Sequence, residues 1–516
     1  MQRDEPMPTT PIPDALMNAW QAGAIPRREF LRRAALLGVG AAAAERLLDA
    51  AAPGIATAQT TQKRELVVAQ GGDVSKFDPH YSTAANDIRV TFNIYDNLLS
   101  RRPDDKLYEG LATEWKATGP TTWTLKLRQG VKWHNGDPFT SADAKFSLER
   151  TYDPAAKTLV ATVYTTIDRI ETPDPHTLVI HTKKSDPLLP ARLAFYGGQI
   201  VPKKYIEQVG PDTFNAKPVG TGPVRLGSWT KDDKLVLEAN PDYWGGKIDV
   251  DRVVFRPIPE TAPRVAALLK GEVDGITALT ADHFDRVGQH PTTKVGSALY
   301  AGLYCVGINA KVPPLNNQLV RQAMSLAVDR EAIVKDLWRA RGIVPNGPIA
   351  KGDNHYDPTL PPLAYDPKEA RERLKKSGYK GEPISFETTV GYMASDKPMA
   401  EVVAGMWKDV GLNVAVEVVE FSVRAQKNRE RSFKGLWWTD PTSTLRDPDG
   451  MMWRLLGPGG IQDYFRHPEW DELGSAARFS LDEKFRADAY KKMTRIMLEQ
   501  AFGWVIILQP YEDYGL

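Results

Sequence analysis

The 516-residue chain holds a single cysteine, Cys305, so no disulfide can form within it and its stability must come from packed cores. Cys305 lies in Leu303-Tyr304-Cys305-Val306-Gly307-Ile308, which reads as a buried strand, and a small packing residue is a better account of it than a nucleophile. An excess of either charge is also missing: 66 Lys and Arg stand against 65 Asp and Glu, a formal net charge of +1. Basic residues gather no further than pairs such as Lys203-Lys204 and Lys375-Lys376, which argues against nucleic acid as a partner. Beyond the N-terminus no run is apolar for the roughly 20 residues that a bilayer span needs. Catalytic motifs are lacking too: there is no His-Glu-x-x-His, no Cys-x-x-Cys, no Gly-x-Ser-x-Gly and no glycine-rich phosphate loop ending in lysine. The eight histidines are scattered. His80 beside Asp78 and His134 beside Asp137 have no third ligand at metal spacing, so neither a metal nor another cofactor is expected. A secreted enzyme remains an alternative without a motif to support it.

What is present begins with an address. Arg27-Arg28, then Phe30-Leu31, precede an alanine-rich apolar run from Ala34 to Ala44 and a small-x-small cleavage site at Ala56-Thr57-Ala58. This is the layout of a secretory signal peptide, and the paired arginines resemble the twin-arginine type, which exports folded proteins. Glu45-Arg46 interrupts the run and argues against a membrane anchor. Residues 1–58 are thus expected to be a leader and signal peptide, with Pro6, Pro8, Pro11 and Pro13 marking an extension that takes no part in the fold. The exported chain would begin at Gln59 and work in the periplasm.

The remaining portion exceeds the roughly 250 to 300 residues at which one core stops growing, which predicts two or more lobes. With 42% hydrophobic and 25% charged residues the composition is that of a globular protein. Leu66 to Ala69 reads as a strand and Val90 to Leu99 as a helix. Thr122 to Trp133 alternates as a strand does, and Asn135-Gly136 turns it. Thr140 to Asp143 resembles a capping box at the head of a helix carrying Phe146 and Leu148. Gln318 to Trp338 has the spacing of one long amphipathic helix. Asp366-Pro367 opens another, which Gly378 stops. A strand at Ile384 to Val390, a helix from Pro398 to Val410 and a strand at Leu412 to Phe421 form a βαβ unit and predict parallel pairing. Gly220 and Gly222 are expected to supply backbone angles closed to other residues.

Five segments carry a family resemblance. They are Phe77-Asp78-Pro79 with Tyr95-Asp96-Asn97-Leu98; Leu127 to Gly136 with Pro138-Phe139-Thr140; Val219 to Pro223 with Asn240-Pro241-Asp242-Tyr243-Trp244-Gly245-Gly246 and Gly271 to Asp274; Val320-Arg321-Gln322-Ala323 through Arg330; and Tyr365-Asp366-Pro367 with Gly378-Tyr379. In this order they resemble the extracytoplasmic solute-binding proteins of family 5, which include peptide, nickel and opine receptors. The resemblance implies an α/β chain of the type II periplasmic-binding-protein fold, with two lobes, a hinge crossed twice, a discontinuous base domain and an extra domain. It places the base domain at 59–100, 213–299 and 500–516, the extra domain at 101–212 and the second lobe at 300–499. Trp504 to Leu508 is expected as a late base-domain strand.

The resemblance also implies a function: a monomeric, non-catalytic receptor that captures a small solute, preferably peptide-like, and delivers it to the transmembrane permease subunits of an ABC importer. An opine, an oligosaccharide or a metal chelate is the alternative guest on the same scaffold. A periplasmic chaperone or sensor subunit is a third class. In the family's peptide receptors an aspartate shortly after a tryptophan holds the ligand ammonium. Trp437-Trp438-Thr439-Asp440 matches, with Asp440 as the charged contact and Trp437 or Trp438 as an aromatic wall. The stretch 442–449 is long for the family, so Asp447 and Asp449 are alternatives for the same role. Tyr392 falls where dipeptide receptors place a pocket tyrosine, but the arginine expected two residues earlier is Val390, which argues against strict dipeptide specificity. Tyr81, Thr83 and Asn86 align with a first-lobe loop that meets ligand backbone groups.

Overall fold

The computed structural model describes residues 64–516 other than 83, 103, 154, 391–394 and 444. The signal-peptide reading of 1–58 lies outside the described residues, as do Thr83 and Tyr392. Among the described residues no helix is long and apolar enough to cross a membrane.

A twelve-stranded mixed sheet organises the chain. Its path runs from Val414–Val418 through Ile384–Thr388, Leu436–Thr439 and Tyr304–Ile308 to the twelve-residue strand Trp504–Gly515, then through Gly275–Leu279, Glu65–Gln70, Arg252–Pro257 and Lys234–Ala239 to Val224–Thr230. Trp504–Gly515 serves both halves. Its first residues, Trp504 to Leu508, pair with Tyr304–Ile308, and its last, Tyr511 to Gly515, pair with Val295–Leu299. Trp504 to Leu508 therefore belongs with the strands of residues 304–439 and not with the base-domain strands as expected; the chain changes partners in the middle of one strand.

Separate cores lie on the two sides. One packs Val306, Met324, Phe386, Trp407 and Trp438 between the sheet and its helices, and another packs Phe77, Val90, Ile94, Leu235 and Phe255. A four-stranded antiparallel sheet, Ala112–Gly119, Thr122–Leu127, Thr177–Thr182 and Ile167–Asp174, builds its own core with helix Ser141–Tyr152. That helix starts at the capping box, where the Thr140 amide donates to the Asp143 carboxylate at 2.9 Å. The βαβ unit is parallel, with Ile384 opposite Val414. Helix Pro367–Ser377 is capped by Asp366, which accepts from the Lys368 and Glu369 amides, and ends at Gly378 with φ 73°.

Three further sequence expectations differ from the structure for physical reasons. The long helix breaks: Gln318–Leu326 ends, and Asp329 caps a new start by accepting from the Ala332 amide at 2.9 Å. At the break the Arg330 guanidinium is buried and donates to the carbonyls of Ser325, Val328 and Ile506, an arrangement a continuous helix could not provide. The helix expected at Val90 to Leu99 spans Ala85–Ile94; Asp87 sits inside its first turn, accepting from the amide and hydroxyl of Ser75 at 2.8 and 2.6 Å. Gly220 is needed for closeness and not for an unusual φ, since a Cβ there would stand 1.9 Å from the Ile94 carbonyl oxygen.

His134 grips the same glycine loop. Its Nδ1 accepts from the Gly220 amide at 3.1 Å and its Nε2–H donates to the Gly222 carbonyl at 3.1 Å, which requires the neutral imidazole. His80 is held likewise, between Arg150 at 3.2 Å and the Gln199 carbonyl at 3.0 Å. Burial pushes both down from 6.5 to about 4. Because the folded values lie below the unfolded one, their stabilising contribution is complete above pH 6.5 and is lost as the pH falls towards 4. Denaturant unfolding followed from neutral to acid pH is expected to show this loss, and His134→Asn to reduce its slope; an equal slope in the variant would count against the clasp.

Candidate functional site

The strand Leu436–Thr439 pairs antiparallel with Tyr304–Ile308 and parallel with Ile384–Thr388. Successive side chains on a strand point to opposite faces, and the two tryptophans part accordingly. Trp437 stacks on Phe433 at 4.5 Å between centroids and meets Tyr464 at 5.0 Å. It lies flat over Gly307, where a Cβ would come within 2.2 Å of the indole. Trp438 faces Phe386 at 6.2 Å and Tyr304 at 6.5 Å. Both are fully buried, so neither forms the expected aromatic wall of a cavity.

What the strand does deliver is its end. Thr439, Asp440, Pro441 and Thr442 line a cavity of about 790 Å³. Its opposite wall comes from the other side of the molecule: Phe92 on helix Ala85–Ile94, Arg101, and the run Ala194, Phe195 and Tyr196. Asp440 is half-buried. Its backbone carbonyl accepts from the Thr442 hydroxyl at 3.1 Å, and that hydroxyl lies 2.8 Å from the Tyr300 phenol. Burial, with the Asp440 charge adding to it, raises the Tyr300 pKa. The same two causes push the Cys305 thiol up, which suits packing and not nucleophilic chemistry. Gly302 bridges to Thr442, and a Cβ there would stand 2.7 Å from the Pro441 carbonyl oxygen, so the loop bearing Asp440 is held close to the strand.

The other sequence candidates stand elsewhere. Asp447 is buried, accepts from Arg486 at 2.6 Å, and caps the turn that follows by accepting from the Asp449 amide at 3.0 Å. Asp449 is buried between Arg192 at 3.4 Å and Arg478 at 3.3 Å. Neither carboxylate lines the cavity; their charges are taken up by these arginines. Tyr81 donates to the Ala156 carbonyl at 2.7 Å, and Asn86 accepts from Arg89 at 3.1 Å. Neither lines the cavity.

Sequence reasoning missed Phe92 and the arginines of the cavity. Phe92 carries a usable signal, a phenylalanine off the face of helix Ala85–Ile94 that buries Asp87, Val90, Thr91 and Ile94, and it remains 42% exposed. The arginines come from distant points in the chain, and no local spacing reveals that they meet.

Contacts also join the two walls. Arg192 connects Asp186, at 3.1 Å, with Asp449. Arg446 connects Asp353, at 3.2 Å, with Asp105, at 3.0 Å. Leu188 and Ala191 pack on Leu445 beside them.

Comparison with known proteins gives this geometry a relationship. The model of the bacterial extracellular solute-binding proteins, family 5, matches residues 106–463. The di/tripeptide-binding protein 1 of Pseudomonas aeruginosa is 26% identical over 471 residues, covering 84% of this chain and 87% of its own. The dipeptide-binding protein of Escherichia coli is 25% identical over 485 residues, covering 87% and 90%. Among solved structures, the ABC transporter-associated periplasmic binding protein DppA of Helicobacter pylori, in complex with the peptide STSA, superposes with a TM-score of 0.75 at 26% identity, covering 88% of this chain and 94% of that one. The chain belongs to the bacterial extracellular solute-binding proteins of family 5, and its mixed sheet is that of their type II periplasmic-binding fold.

Proposed function

We propose that the protein is the receptor of an ABC importer, capturing a peptide or peptide-like solute between two lobes and delivering it unaltered to the membrane permease. The observation that carries this reading is the cavity walled from both sides of the sheet, with Asp440 on its rim at the end of a strand. Asp440 would hold the guest's ammonium group, as an acceptor in a recess where water competes poorly. The peptide named with the Helicobacter pylori neighbour, and the peptide-binding names of the curated relatives, support the same class of guest. Trp437 and Trp438 lie in the cores, and the rings at the cavity are those of Phe92, Phe195 and Tyr196.

The hinge of this reading falls where the long strand changes partners, between Leu508 and Tyr511, and in the parallel crossing between Leu299 and Tyr304. One lobe then consists of the segments before Leu299 and after Tyr511, including the four-stranded domain; the other runs between the crossings. Closure is a population shift, driven only by contacts the guest makes better in the closed form. Export by the twin-arginine route, action in the periplasm and a monomeric state complete the proposal.

A thermal-shift titration with short peptides tests it. Stabilisation should grow with ligand as RT ln(1 + [L]/Kd), about 2.7 kcal/mol at a hundredfold excess over Kd. Melting that no peptide shifts at any concentration would oppose the reading.

A further inference from the structure

The charge of the cavity, taken with the proposed receptor role on which this inference rests, narrows the class of guest. Five arginines, Arg101, Arg102, Arg424, Arg446 and Arg454, line the cavity against one carboxylate, Asp440. Arg446 is neutralised by Asp105 and Asp353, and Arg424 directs its Nε and Nη2 at the Trp438 carbonyl, at 3.4 and 3.1 Å. Among the described residues Arg101, Arg102 and Arg454 form no ion pair, though the charges of Asp105 and Asp353, two carboxylates beside Arg446, reach Arg101. Arg101 donates to the carbonyls of Asp105 at 2.7 Å and Leu445 at 3.4 Å. Arg454 donates its Nε to the Gly450 carbonyl at 2.8 Å. The carboxylate whose field reaches Arg454, Asp449, is already shared by Arg192 and Arg478. Arg102 is exposed and lies 3.9 Å over the Tyr108 ring.

Carbonyl oxygens orient a guanidinium but do not cancel its charge. Arg101 is half-buried, while Arg454, like Arg102, is exposed, so these charges give the cavity wall a positive field. An anion entering the cavity meets that field, and the planar guanidinium fork matches a carboxylate better than any neutral group. A guest with one ammonium and one carboxylate would set its ammonium beside Asp440 and leave cations over.

We propose that the preferred guest is an acidic peptide, carrying two or more carboxylates beside a single ammonium group, with Arg454 and Arg101 receiving the carboxylates and exposed Arg102 adding attraction. The preference is electrostatic and therefore weakens as salt is raised.

Calorimetric titration of the full chain with trialanine, Ala-Lys-Ala, Ala-Glu-Ala and Ala-Glu-Glu tests this. Ala-Glu-Glu is expected to bind at least about tenfold more tightly than trialanine, the size of one charged hydrogen bond. Arg454→Gln and Arg101→Gln are each expected to shrink that ratio, and a melting curve checks that each variant is folded. Equal binding of all four peptides, tightest binding of the lysyl peptide, or a ratio that neither variant changes would overturn the acidic preference and leave the peptide receptor in place. Binding of no peptide at all would remove the receptor reading and the inference with it.

Discussion

Arg486→Ala is expected to destabilise the fold by about 3–5 kcal/mol, as removal of one partner from a buried ion pair does. Arg486 and Asp447 are each about 1% exposed and meet at 2.6 Å; Arg486 also donates to the Ala477 carbonyl at 2.8 Å. The alanine variant leaves the buried Asp447 carboxylate with the Asp449 amide at 3.0 Å and His355 Nε2 at 3.4 Å but without its guanidinium. Glu483, which also lies near Arg486 at 3.7 Å, is 76% exposed, so Glu483→Ala should change stability by less than about 1 kcal/mol. Urea unfolding of both variants separates the cases. A loss in Arg486→Ala no larger than in Glu483→Ala would mean that the buried pair contributes nothing to holding the turn that follows Arg446.

The second large effect concerns the guest. Asp440→Ala is expected to weaken peptide binding by about 1.5–3 kcal/mol, the range of a hydrogen bond to a charged group, or roughly tenfold to a hundredfold in Kd. Asp440→Asn keeps the shape and removes the charge, so an equal loss in both variants assigns the effect to charge. Melting should change little, because Asp440 stands half-buried at the end of its strand. Unaltered affinity in both variants would take Asp440 out of the site.

Much of the fold was legible because its signals are local. A capping box needs only Thr140 and Asp143, a helix stop only Gly378, and the βαβ unit announces itself by a change of period. The failures have a common physical source in contacts between distant residues. Arg330 ends a helix early by bonding to Ile506, far along the chain, and Gly220 is required by the carbonyl of Ile94. The site shows the same division. Asp440, on which a short motif ends, does line the cavity. The tryptophans of that motif were misread as cavity wall because their partners, Gly307, Phe433 and Phe386, are met only in the folded sheet. Asp447 and Asp449 resembled ligand contacts until Arg486, Arg192 and Arg478 supplied their counter-charges. The arginines of the cavity come from residues 101, 102, 424, 446 and 454, a separation at which no spacing rule operates.

Native mass spectrometry of the protein incubated with a peptide mixture, with the bound species released and weighed, addresses capture without conversion most directly. A single peptide per chain, recovered at its original mass, is the predicted result. Recovery of cleaved or otherwise altered peptides, or a protein that never gains the mass of a guest, would contradict it.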